Sequence, residues 1–190
     1  ATVTFLPLSG WRGSRPVIRS GETSANPPTS MWSSITPDYF RTMQIPVLAG
    51  RTFDQHDKRG STPVAVISES LGKRVFPHGN AIGQIVNAGF STPVQVVGVV
   101  GDVHHLGMTS DLTSEIYVPF AQFPFPLLCV AIRTQGNPMK VAKNVENQVW
   151  ALDENQAVSF LMPLTDLASE SLSTQRVVSI LLAVFAGLAL

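Results

Sequence analysis

Cysteine occurs once in the 190 residues, at Cys129, so no intrachain disulfide can form. Charge is also scarce. Only 14% of the residues are Asp, Glu, Lys or Arg, against about a quarter in an average soluble domain. The 13 basic residues balance the 13 acidic ones, and no basic block occurs. Nucleic acid is therefore not an expected partner, because there is no cluster of cations to release phosphate counterions. There is no GxxxxGK[ST] loop, so the chain does not bind a nucleotide by that route. Gly98 and Gly101 are spaced wrongly for a dinucleotide loop, and Ser68-Glu69-Ser70 lacks the glycines of a nucleophile elbow.

Metal ligands are sparse as well. Asp102 and His104 fall on one side of an extended segment, since strand side chains alternate. A carboxylate and an imidazole suit zinc, but a catalytic site takes three protein ligands. His56 and His78 stand apart in polar loops. The expectation is no metal, no cofactor, no catalytic residue and no enzyme activity. Cys129 lies in Leu127-Leu128-Cys129-Val130-Ala131-Ile132 with no base or cation beside it. It reads as a small buried hydrophobe rather than a reactive thiol.

What is present is a mixed pattern of strands and helices. Thr2–Leu8, Met31–Ile35, Pro63–Ile67, Ile82–Val86, Val94–Val100, Glu115–Val118, Leu127–Arg133 and Val158–Met162 read as strands from their β-branched or alternating apolar residues. Thr36 and Pro37 mark a turn or short helix start. Ser68 caps a helix carrying Leu71, Val75 and Phe76, with Glu69 near its start, Lys73 and Arg74 near its end, and Pro77 to stop it. The clearest helix opens with Asn137 as cap and Pro138 in the first position. Met139, Ala142, Val145, Val149 and Leu152 form its apolar stripe, expected to bury Val145 and Val149 against strand 127–133. That strand, the helix and strand 158–162 make a βαβ pattern.

The C-terminus is different in kind. A last helix begins near Thr165, and no Pro or Gly interrupts the chain between Pro163 and Gly187. Val177–Leu190 has one polar residue, Ser179, and no charge. Crossing a bilayer takes about 20 apolar residues, so residues 176–190 read as the first part of a transmembrane helix; the alternative is a buried core helix. A continuous helix from Thr165 to Leu190 forms a rod of roughly 39 Å.

Several segments, in order and at similar spacing, resemble the MacB-like periplasmic core domain of MacB/FtsX-type ABC transporter permeases. They begin with Ile35-Thr36-Pro37-Asp38-Tyr39-Phe40-Arg41-Thr42-Met43 and Pro46-Val47-Leu48-Ala49-Gly50-Arg51-Thr52-Phe53. Next come Val64-Ala65-Val66-Ile67-Ser68-Glu69-Ser70-Leu71 and Val97-Gly98-Val99-Val100-Gly101-Asp102-Val103. The last are Glu115-Ile116-Tyr117-Val118-Pro119-Phe120 and Val130-Ala131-Ile132-Arg133. The nearest likeness is to duplicated orphan permeases. The resemblance implies an α+β fold with two extracytoplasmic lobes over residues 1–175. A porter-like βαβ lobe combines residues 1–30 and 115–173, and a mixed α/β lobe, residues 31–114, is inserted into it.

The resemblance further implies a domain that transmits motion and docks partners while the permease exports drugs, peptides or lipoproteins. The partners it implies are a periplasmic adaptor or second permease copy, a cytoplasmic ATPase acting through the intact protein, and the membrane through the C-terminal helix. The location it implies is the bacterial inner (cell) membrane, with this domain on the periplasmic or extracellular side. From the residues themselves, Phe123 and Phe125 in Phe123-Pro124-Phe125-Pro126 are the candidate partner contacts, since proline limits the entropy lost on docking; the alternative is that both rings tuck into the core. A ligand-binding sensor of a membrane signalling protein is the second reading of function, though no convergent polar site stands out for it.

Overall fold

The computed structural model describes residues 1–7, 13–103 and 114–169. The chain forms two compact units, Ala1–Ile132 and Arg133–Leu190.

The first unit is built on one mixed sheet. In chain order its elements are β1 (Thr2–Val3), β2 (Ser14–Pro16), β3 (Ile18–Arg19), β4 (Thr29–Ile35), α1 (Tyr39–Met43) and β5 (Val47–Gly50). They continue as β6 (Val64–Ser68), α2 (Glu69–Val75), β7 (Ile85–Asn87), β8 (Val94–Val100), β9 (Glu115–Pro119) and β10 (Cys129–Val130). The strand order is β10-β1-β4-β9-β6-β8-β7-β3, with β2 also on β4 and β5 also on β8. The β4–β9 and β6–β8 pairs are parallel, and the others are antiparallel. The chain is thus α+β, as expected. The sheet runs unbroken across residue 114: β9 pairs with β4 on one edge and β6 on the other. Boundaries at residues 30 and 114 therefore do not separate two sheets.

Alternation explains why the central strands are buried on both sides. Ile116 and Val118 of β9 turn to one face, beside Trp32, Ala65, Ile67, Val94 and Val96, where Leu71 and Val75 of α2 cover them. Tyr117 turns to the other, beside Ile35, Val64, Val66 and Val100, covered by Tyr39 and Phe40 of α1. Each fully buried Val, Ile or Leu contributes about 1.5–3 kcal/mol, so both faces of the sheet hold the unit together. An extra residue, Val97, sits between the pairs Ala65–Val96 and Val66–Gly98. This bulge reverses which face the following side chains reach.

Helix α2 is capped as its sequence implies, with the Leu71 amide donating to Ser68 Oγ at 3.4 Å. Helix α1 is not capped by Thr36: that hydroxyl instead accepts from the Thr2 amide at 2.8 Å, joining β1 to the end of β4. The expected strand 82–86 is shifted to Ile85–Asn87, because residues 82–83 take part in a turn with Gly83 at positive φ. The expected strand 127–133 shortens to Cys129–Val130.

In the second unit, α3 spans Met139–Leu152, and Asn137 Oδ1 accepts from the Met139 amide at 2.9 Å. Its apolar stripe is only partly shielded. Ala142, Val145 and Val149 are half-buried, Met139 and Leu152 are exposed, and no α3 residue is fully buried. The expected strand 158–162 does not form. Its residues have no ladder partner among those described, and Phe160 adopts φ 58°, which ends an extended run. Residues 164–169 are helical; the expected continuation from residue 170, including 176–190, lies outside the described residues. Among the described residues no helix is long and apolar enough to cross a membrane.

Candidate partner-contact loop

Phe123 and Phe125 lie in the loop that leaves β9. Pro119 ends the strand because it has no amide to extend the ladder. The chain then turns tightly, with the Gln122 and Phe123 amides both donating to Pro119 O at 3.0 Å. Ser34 Oγ fixes the loop from below by donating to Phe123 O at 2.7 Å.

Both rings are half-buried in an aromatic cluster. Phe125 meets Trp32 edge-on, with centroids 5.4 Å apart, and contacts Phe5 at 6.0 Å. Phe123 packs on Phe90 at 4.9 Å. The Arg15 guanidinium lies against Trp32 at 4.8 Å and Phe90 at 4.6 Å, and donates to Gly89 O at 2.6 Å. Edge-on and offset ring pairs are the favoured arrangements, worth about 0.5–1.5 kcal/mol each beyond area. The two phenylalanines thus anchor the loop in the core, while Ala121, Pro124 and Pro126 remain exposed at its tip. The tip is a fixed apolar projection at one end of the sheet.

A second loop stands beside it. Residues 51–63 link β5 to β6 and are tied by a bidentate pair: Arg51 donates to the two Asp57 oxygens at 2.7 and 2.9 Å. Asp57 is buried and also accepts from the Asp54 amide at 2.9 Å. The Arg51 hydrogen bonds hold the Asp57 carboxyl below its ordinary value, and the same pairing raises Arg51. The sequence signals this clamp only by an Arg and an Asp six positions apart around Phe53, and it gives no signal for Gln122, whose side-chain partners lie about 60 positions away along the chain.

The remaining candidates have structural settings. Asp102 Oδ1 accepts from the Ser70 amide at 3.0 Å; His104 and His105 lie outside the described residues. His56 Nδ1 meets Asp54 at 3.0 Å on the exposed surface. Among the described residues no group of three or more His, Cys, Asp or Glu is placed to hold a metal. Cys129 is half-buried, and burial pushes its thiol up, away from the reactive thiolate. On the α1 face, Ser33 Oγ donates to buried Glu115 at 2.6 Å. Burial first, then the nearby Glu115 charge, pushes the Tyr39 and Tyr117 hydroxyls well up. This cluster lies within the core.

Comparison with known proteins places this arrangement. The chain is 31% identical over 88 residues to the uncharacterized ABC transporter permease YknZ of Bacillus subtilis, which is 46% of this chain and 21% of that protein. It is 26% identical over 149 residues to the macrolide export ATP-binding/permease protein MacB 1/2 of Paracoccus denitrificans, 78% of this chain and 21% of that protein. It therefore spans about a fifth of the length of these curated relatives. Among solved structures, the periplasmic region of MacB from Actinobacillus actinomycetemcomitans shares the fold. The TM-score is 0.57 at 19% identity, covering 80% of this chain and 66% of that one. The family pattern itself matches residues 7–148, which is most of the chain, and the chain belongs to the MacB-like periplasmic core domain family.

Proposed function

We propose that the chain is the extracytoplasmic domain of a bacterial ABC-type permease, where it transmits motion and docks partners during export of drugs, peptides or lipoproteins. The observation that carries this reading is the family match over residues 7–148, together with relatives named as permeases and export proteins. On this reading the domain lies on the periplasmic or extracellular side of the cell membrane. A cytoplasmic ATPase supplies the energy, and an adaptor or a second permease copy meets the outer domain. The domain itself binds and transmits rather than catalyses.

The loop tip around Phe123 and Phe125 is the proposed contact. Its rings are anchored against Trp32 and Phe90, so docking immobilises few groups and little entropy is lost. The route to the membrane is the C-terminal helix from Thr165, which packs first through its amphipathic part and then enters lipid. A helix satisfies its own backbone in lipid and carries a displacement that a flexible joint absorbs.

The test is to insert Gly-Gly-Ser-Gly between Thr174 and Gln175 of the intact protein. Loss of export at normal membrane abundance is the expected result. Full export with the linker in place sinks the transmission reading.

A further inference from the structure

The end of β9 contains a substitution of side chain for main chain. The first amide of β6, Val64 N–H, faces the β9 side, because Pro63 O and the Gln95 amide already pair on the β8 side. In the antiparallel register Pro119 stands opposite Val64, but the Pro119 carbonyl is turned to the loop, where it accepts from the Gln122 and Phe123 amides. Gln122 Oε1 takes that place and accepts from Val64 N at 3.0 Å.

The other half of the same amide reaches into the 51–63 loop. Gln122 Nε2 donates to Ser61 Oγ at 2.8 Å and Thr62 O at 2.9 Å, with Lys58 O further off at 3.4 Å. A primary amide has two N–H donors and one carbonyl. Here both hydrogens and the oxygen have partners, and those partners fix the flip: an N–H donor needs the oxygen, and a carbonyl needs the nitrogen. The Lys58–Ser61 turn is closed on itself, with the Ser61 amide and hydroxyl both donating to Lys58 O, at 3.0 and 2.8 Å. Gln122 thus grips a preformed turn. It is also the residue immediately before Phe123.

We propose that Gln122 is the positioning residue of the partner-contact loop, locking residues 58–64 and 119–123 into one rigid element so that the contact surface spans both loops. The assignment of contact to this end rests on the function proposed above; the lock itself does not. The docking partner then meets Lys58 and Arg59, both exposed, beside the apolar tip at Pro124. A segment carrying carboxylates next to apolar side chains fits that surface.

The experiment is residue-resolved amide exchange by NMR on the chain and on two variants. Gln122→Ala should speed exchange about tenfold or more at Val64, in 58–63 and in 119–123 together, leaving Val66 and Val96 protected. Gln122→Glu keeps the acceptor and loses the donors, so it should restore Val64 protection alone. Faster exchange confined to 119–123, no change, or a rise throughout the sheet each overturns the proposal. Pro124→Asp alters the tip without touching the Gln122 bonds. If it leaves export by the intact permease unchanged while Gln122→Ala behaves as expected, the docking reading fails and the lock stands.

Discussion

Ser33 Oγ lies 2.6 Å from Glu115 Oε1, joining β4 to β9 from inside the core. Glu115 is 1% exposed. A buried carboxylate is tolerated when hydrogen bonds replace its water, and bonds to a charged group are worth about 1.5–3 kcal/mol. Ser33→Ala removes the donor and leaves the acceptor buried. It should lower stability by about 1–3 kcal/mol, read as a fall in the urea midpoint at unchanged slope. An unchanged midpoint means that Glu115 is satisfied without Ser33.

The Arg51–Asp57 clamp gives a pH dependence with a defined sign. Hydrogen bonds from Arg51, then the Asp54 amide, depress the folded Asp57 pKa. A depressed carboxyl contributes stability that is fully present above its unfolded value, about 3.9. That contribution is lost as pH falls through the folded value. Since Arg51 is half-exposed, solvent screens the pair and its share is modest. Asp57→Asn should therefore flatten the acid limb of a plot of melting temperature against pH below about 4. An acid limb as steep as in the parent chain refutes the assignment.

The parts of the fold set by local chemistry were legible in the sequence. Ser68, Glu69 and Lys73 define α2, and the β-branched runs at 64–67 and 94–100 form the central strands. Long-range pairing was not legible. Nothing local says that β9 inserts between β4 and β6, so a boundary at 114 looked plausible. Thr36 has the chemistry of a cap but uses its hydroxyl on Thr2, a residue 34 positions away. Val158–Met162 has strand composition, yet a strand is a property of a pair, and composition does not supply the partner. For the loop, Phe123 and Phe125 stood out as apolar residues among prolines. Gln122 did not, because its role depends on three segments meeting.

Half-burial of the α3 stripe scales down what its residues contribute. Full burial of a valine is worth about 1.5–3 kcal/mol. Val145 is half-buried, so Val145→Ala should cost about 1 kcal/mol. Differential scanning calorimetry of both chains checks this. A loss of about 3 kcal/mol or more means that the stripe is a full core face; no loss means that the helix is held by its ends.

Gly98 is the position where the least change should do the most harm. It follows the extra residue in β8, opposite Val66 on one side and Gly50 on the other. The chain passes so close here that a Cβ on Gly98 runs into the Arg51 carbonyl oxygen, a backbone atom with no rotamer to escape by. Gly50 has the same constraint from the opposite strand, with φ +72° and a Cβ position that meets Val97 O. Gly98→Ala must therefore part β5 from β8 or shift the bulge, and a shifted bulge changes the face that Val99 and Val100 reach. Val100 is fully buried against the α1 side, so the damage spreads to Tyr39 and Phe40. Overpacking of this kind costs about 1–3 kcal/mol, occasionally more. The expected result is a drop of that size in the urea midpoint, with faster amide exchange at Arg51, whose N–H bonds Val97 O at 2.9 Å. It should leave Gln122-dependent protection at Val64 in place, because that bond lies on the opposite edge of β6. Unaltered exchange at Arg51 in a folded Gly98→Ala chain shows that the strands are not in this close approach.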